Sequence, residues 1–390
     1  MCGWFMKRTG LLVMLLVPFF TGFRPIEREK SKVKPVKEVK LQTVYPDLLS
    51  KAFYSRDEAL DRKVDSLYAL MTDEERAAQM IMVASTASAG DFRNVRDDIS
   101  GRAAGSVLLL KGSREGFRQQ VMALNASAGK AVLPPFYACD CEPSLLYRKW
   151  DGAPVLTPAG EQETDELIVS TTKEIAAEMQ RMGAVLNFAP VVDNGTNKAI
   201  IGSRAFGNTE AEIFPKASLF IRTMQNEGIA TTVKHFPGHG SVKGDSHKNA
   251  VYIDGPLTEL EAFRKTIRHA HPLVVMVGHI TIRRNETYNT NGVPSSISRK
   301  IVTDLLRKEL GFNGVIATDA MNMKAVSQFA DADWKAVLAG ADLVVMPSNA
   351  AALNRKIVAA LRQEGALQDQ LEASVKRIMK MKLVTRGEAV

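Results

Sequence analysis

The sequence predicts an α/β fold closed into a single-domain (β/α)8 TIM-type barrel, on three observations. Eight apolar, strand-like runs recur along the chain, at roughly 79–84, 105–110, 132–139, 185–190, 229–235, 273–278, 314–318 and 341–346. Amphipathic helical stretches separate them; at 170–182, for example, Ile175, Met179 and Met182 fall on one face. Continuous apolar runs that alternate with helices indicate a parallel sheet buried on both sides, and eight repeats match one closed barrel. The third observation is negative: no GxGxxG or GxxxxGK run follows any strand, which removes the usual signature of a nucleotide-binding open sheet. A doubly wound open sheet is the alternative architecture.

Taken in order, the chain divides into three parts. Residues 1–23 place Lys7 and Arg8 ahead of an apolar run at 11–20, the layout of a signal peptide or an N-terminal anchor. The run is short for a membrane span, and no clean small-residue cleavage pattern follows it. Residues 24–50 are expected to be a charged linker, with Pro25, Pro35 and Pro46 and few apolar side chains. Residues 51–390 form the barrel domain, in which 57–71 is helical and Thr72-Asp73-Glu74-Glu75 opens the next helix with acidic residues in its first turn.

Composition narrows the function. The formal net charge is +8, but Arg24 to Lys40 alone holds seven basic residues against three acidic ones, and Lys7 and Arg8 add to the same end. The basic surplus therefore belongs to the tail, which argues against nucleic acid as a partner. Cys139 and Cys141 are too close in sequence to bridge comfortably, and no disulfide framework is implied.

Chemistry concentrates in one stretch. The fifth apolar run leads into Lys234-His235-Phe236-Pro237-Gly238-His239-Gly240, and Asp245 and His247 follow closely. Prolines and glycines there break regular structure, so titratable groups are presented on a loop just past a strand end. His235 and His239 stand four apart like a helical metal pair, but Pro237-Gly238 lies between them and no cysteine is near; no metal is expected. Loop-capping histidines are the other reading. The seventh run ends at Asp319, a carboxylate flanked by apolar residues, which by position alone is either a satisfied structural group or a catalytic one.

The run KHFPGHG with DSH at 245–247, together with the stretch around Ala317-Thr318-Asp319, resembles glycoside hydrolase family 3, in its single-domain β-N-acetylhexosaminidase branch. The resemblance covers roughly residues 60–385. It implies a retaining exo-glycoside hydrolase that removes terminal β-linked N-acetylglucosamine from peptidoglycan fragments or chitin-like oligosaccharides. Asp319 would be the nucleophile, His247 the acid/base and Asp245 the partner of its ring. A histidine titrates near neutrality, as a general acid/base requires, and as a neutral base it places no second anion beside the attacking carboxylate. The same resemblance makes Asp140, Arg148, Arg204, Lys234 and His235 the sugar-holding residues.

Two positions depart from the family pattern. Ala320 follows the nucleophile where a second aspartate is frequent, and Glu142 is followed by Pro143-Ser144-Leu145 rather than Gly-Gly-Arg. The second departure affects the sugar pocket and hence substrate choice. The layout of residues 1–23 points to an exported, periplasmic or membrane-anchored bacterial protein; a monomer is the default, and the resemblance implies a carbohydrate partner and no cofactor. The competing functions are a β-glycoside phosphorylase or β-glucosidase on the same scaffold, a Schiff-base aldolase using Lys234, and a non-catalytic wall-binding barrel.

Overall fold

The computed structural model of the chain describes residues 45–86, 88–242 and 250–388. The expected signal segment and most of the linker lie outside the described residues. Among the described residues no helix is long and apolar enough to cross a membrane.

Eight parallel strands form the barrel: β1 (Ile81–Thr86), β2 (Ser106–Ser113), β3 (Phe136–Cys139), β4 (Leu186–Asn187), β5 (Ala230–Phe236), β6 (Val274–Val277), β7 (Val315–Thr318) and β8 (Val344–Val345). Each pairs with its neighbour in register, for example Val107 with Tyr137, Leu186 with Ala230, Thr232 with Val274 and Thr318 with Val277. β1 pairs with β8, and a bridge between Ala317 and Leu343 joins β7 to β8 and closes the ring. Strands β3, β5, β6 and β7 are buried along their whole lengths, which is why they read as unbroken apolar runs.

Helices alternate with the strands and are stopped by ordinary capping chemistry. Thr72 and Glu75 form a reciprocal capping box ahead of helix Asp73–Gln79, and this helix delays β1 by two residues relative to the expected run. Thr164 caps helix Asp165–Met182, and Gly183 ends it with φ +77°, a left-handed conformation suited to glycine.

Two features were not anticipated. Helix Leu48–Tyr54, capped by Asp47 and packed through Leu49 and Phe53, belongs to the folded unit, so that unit begins before residue 51. A small parallel sheet of Val251–Asp254 with Ile280–Arg283 stands outside the barrel, directly after the residues at 243–249.

One buried ion cluster holds the base of β7 and β8. Asp342 is fully buried; it accepts hydrogen bonds from Arg307 at 2.5 Å, from the Ile316 amide at 2.7 Å and from Arg377 at 3.1 Å. Removing the carboxylate leaves two guanidinium groups facing each other without a counter-ion. Asp342→Ala is therefore expected to lower stability by about 3–5 kcal/mol, read as a shifted midpoint in chemical denaturation.

Candidate active site

At the C-terminal ends of the barrel strands lies a pocket of about 220 Å³, lined among others by Asp140, Lys149, Arg204, Lys234, His235 and Asp319. An indentation at the other end of the barrel, near Gln79 and Gly105, measures about 20 Å³ and holds no more than a water molecule.

One wall is an ion network rooted in β3 and β5. Asp140 follows β3; it accepts a hydrogen bond from Lys234 Nζ at 2.6 Å, and Lys149 Nζ lies 3.2 Å from its other oxygen. Lys234 also pairs with Glu142 at 2.6 Å. Arg204, in the short turn Gly202–Arg204, grips Glu142 with two parallel hydrogen bonds of 2.8 Å, a planar fork that only arginine supplies. Burial alone would raise the Asp140 carboxyl, but Lys234, Lys149 and Arg204 hold it far below its ordinary range. Glu142 is likewise held down against its burial by Arg204 and Lys234. Burial opposes the charge on Lys234, but the two carboxylates keep it above the usual lysine value. The wall is thus ionised throughout the working pH range and is rich in donors and acceptors for hydroxyl groups.

The opposite wall is Asp319, one residue past β7. Its amide donates to the Val277 carbonyl, and its Oδ1 accepts from the Ala320 amide at 2.8 Å. Among the described residues its other oxygen has no hydrogen-bond donor. Burial would raise the Asp319 carboxyl, but His235, His279, the Ala320 amide and Lys234 together bring it below the ordinary value. His279 supports this peptide from behind. Its Nε2 lies 2.9 Å from the Ala320 carbonyl, which can only accept, so that nitrogen carries the hydrogen.

His235 is oriented by a residue that the sequence analysis did not single out. Asp193, just past β4, is fully buried and takes hydrogen bonds from the amides of His235 and His239. Its Oδ2 also lies 2.6 Å from His235 Nδ1. An ionised carboxylate only accepts, so Nδ1 holds a proton, and Nε2 is the nitrogen left for a ligand. Burial pulls Asp193 up, but His235 and the His239 amide more than compensate and keep it ionised. Burial and the neighbouring His235 ring push His239 down toward the neutral form.

Of the sequence-expected site residues, the structure gathers Asp140, Arg204, Lys234, His235 and Asp319 around one pocket. Asp245 and His247 lie outside the described residues. Arg148 is elsewhere: its Nε donates to the Tyr147 hydroxyl at 2.8 Å and its guanidinium rests over that exposed ring. The short helix Leu146–Lys149 turns neighbouring side chains about 100° apart, so Lys149 faces the pocket and Arg148 faces solvent. Lys149 is therefore a pocket group that the expectation had missed, while Glu142, buried and held by Arg204 and Lys234, supports the wall without lining it. Among the described residues no cluster of three or more histidine, cysteine or acidic side chains could hold a metal ion.

Fold and pocket define a TIM-type barrel whose strand ends carry a polar, ion-paired site with a carboxylate, Asp319, facing into it. The chain belongs to glycoside hydrolase family 3: the model of the glycosyl hydrolase family 3 N terminal domain matches residues 72–381. It is similar to beta-hexosaminidase A of Pseudoalteromonas piscicida, 28% identical over 290 residues, which cover 66% of this chain and 48% of that protein. It is also similar to the beta-hexosaminidase of Vibrio cholerae, 30% identical over 261 residues, 64% of this chain and 77% of that one. The chain spans about half the length of several of the curated relatives it matches. Among solved structures, a family 3 beta-N-acetylglucosaminidase from Paenibacillus superposes with a TM-score of 0.71 at 26% identity, over 81% of this chain and 63% of that one. LpqI of M tuberculosis superposes with 0.69 at 26% identity, over 82% and 96%.

Proposed function

We propose that the protein is a retaining exo-β-N-acetylhexosaminidase that releases terminal β-linked N-acetylglucosamine from peptidoglycan fragments or chitin-like oligosaccharides. The observation that carries this reading is the placement of Asp319, held ionised one residue past β7, in the same pocket as the Asp140–Lys234–Glu142–Arg204 network. The names of the relatives support the acetamido sugar.

In this mechanism Asp319 attacks the anomeric carbon while the glycosidic bond breaks, and His247 gives its proton to the departing oxygen. His247, steadied by Asp245, then takes a proton from water, which displaces Asp319 from the sugar. Asp140, Lys149, Lys234 and His235 Nε2 hold the ring hydroxyls, and Arg204 holds Glu142 and thereby Lys234 in place. No metal or organic cofactor enters any step. The charged start and apolar run at 1–23 support export, with the basic segment that follows next to the membrane surface.

The test is turnover of a chromogenic β-N-acetylglucosaminide by the full chain, beside the matching β-glucoside and with phosphate present or absent. Faster hydrolysis of the acetamido sugar, independent of phosphate, is expected. Preference for the glucoside or a requirement for phosphate would contradict the reading. The two neighbouring cations separate in the same assay. Lys149→Ala is expected to raise KM about tenfold, the value of one hydrogen bond to a charged group, whereas Arg148→Ala stays within about twofold of wild type.

A further inference from the structure

Glu259 stands at the start of helix Leu260–Ala270, where a carboxylate ordinarily caps its own helix or faces water. It does neither. It is 6% exposed and makes no side-chain cap to that helix. Its Oε2 accepts hydrogen bonds from the Asn194 amide at 2.8 Å and the Gly240 amide at 3.1 Å, and its Oε1 accepts from the Ser241 amide at 2.8 Å. One carboxylate therefore ties the loop after β4 to the loop after β5.

The glycines of Pro237-Gly238-His239-Gly240 fit this arrangement. A Cβ at Gly238 would stand 2.7 Å from the Glu259 Cβ, and one at Gly240 would stand 2.0 Å from the Asn194 carbonyl oxygen. Both distances are shorter than a side chain allows, so glycine at each position is what lets the loop settle onto Glu259. Burial first and the Asp193 charge second push this carboxyl up to about 7, against the pull of the amides. Glu259 does not line the pocket, so that cost is not spent on contact with a ligand.

We propose that Glu259 is a positioning residue for proton transfer at the leaving group. It fixes the backbone at 240–241, from which the chain continues toward Asp245 and His247, and it acts without touching the sugar. The inference rests on the proposed hydrolase reading, in which those two residues handle protons.

An activated leaving group departs with little protonation, whereas a sugar leaving group needs it. Full-length wild type and Glu259→Gln would be compared on 2,4-dinitrophenyl β-N-acetylglucosaminide and on N,N′-diacetylchitobiose, with melting followed in parallel. The expected result is a loss of about 30-fold or more in kcat/KM on chitobiose and of less than about threefold in kcat/KM on the dinitrophenyl glycoside, because kcat/KM reports the first step, in which only the poorer leaving group needs the proton. Glu259→Asp, which keeps the charge, provides the same ratio if the glutamine variant does not fold, and its loss is expected to be selective in the same direction but smaller. Equal losses on both substrates, or none on either, would overturn the positioning role. Wild type inert on both would overturn the hydrolase reading beneath it and the inference with it; turnover by wild type separates the two failures.

Discussion

Asp319→Asn is expected to lower kcat/KM on a β-N-acetylglucosaminide by at least about 10³-fold, some 4 kcal/mol of transition-state stabilisation, while the protein stays folded. The reason is local. The amide keeps the shape of the side chain, and its oxygen still accepts from the Ala320 amide, so the strand end is not disturbed. What disappears is the anionic oxygen that would form the glycosyl-enzyme in the proposed mechanism, and a carboxamide is a poor substitute for it. Because Asp319 is held below its ordinary carboxylate value, it remains ionised well into the acid range. The acid limb of the wild-type pH profile is therefore expected to report on groups other than Asp319. Steady-state kinetics with equal melting temperatures checks the first claim, and a kcat/KM profile checks the second.

Lys234→Met is expected to be costly in two ways. It removes the cation shared by Asp140 and Glu142, which are 2.6 Å away on either side, and leaves buried carboxylates with too few partners. Breaking a buried pair in this way typically costs about 3–5 kcal/mol. The loss has a definite pH dependence. Asp140 is depressed in the folded protein, so its stabilising contribution is present above the ordinary aspartate value of 3.8 and is lost as pH falls below it. The stability gap between wild type and Lys234→Met is therefore expected to be widest near neutral pH and to narrow in acid, as chemical denaturation at several pH values would show. Activity is expected to fall with it, because the same residue lines the pocket in which the proposed mechanism places the sugar.

The barrel strands were legible because most of their length is buried on both faces, throughout in β3, β5, β6 and β7, so burial writes itself as an apolar run. The outer sheet was not. Val251–Asp254 alternates buried and exposed residues over only four positions, too few to separate from loop. Helix Leu48–Tyr54 was hidden by the charged, proline-containing sequence ahead of it, and is fixed by packing of Leu49 and Phe53 that no local pattern announces.

In the site, residues at strand ends were readable by position: Asp140, Lys234, His235 and Asp319 all follow or close apolar runs. Asp193 carried the same signal, a lone carboxylate after Pro190-Val-Val, and that reasoning would have found it. Arg148 and Lys149 could not be separated, because which of two adjacent residues faces the pocket depends on how a four-residue helix is turned. Glu259 looked like any acidic residue at a helix start; only tertiary structure brings the Asn194, Gly240 and Ser241 amides to it.

The most direct test of the central claim is to trap the glycosyl-enzyme. Full-length protein would be treated with 5-fluoro-N-acetylglucosaminyl fluoride, and intact and peptide masses would be recorded. The expected result is a gain of one glycosyl unit, carried by the peptide that contains Asp319 and absent from Asp319→Asn. Turnover of substrate with no label, or with label on another residue, would contradict Asp319 as the nucleophile of this barrel.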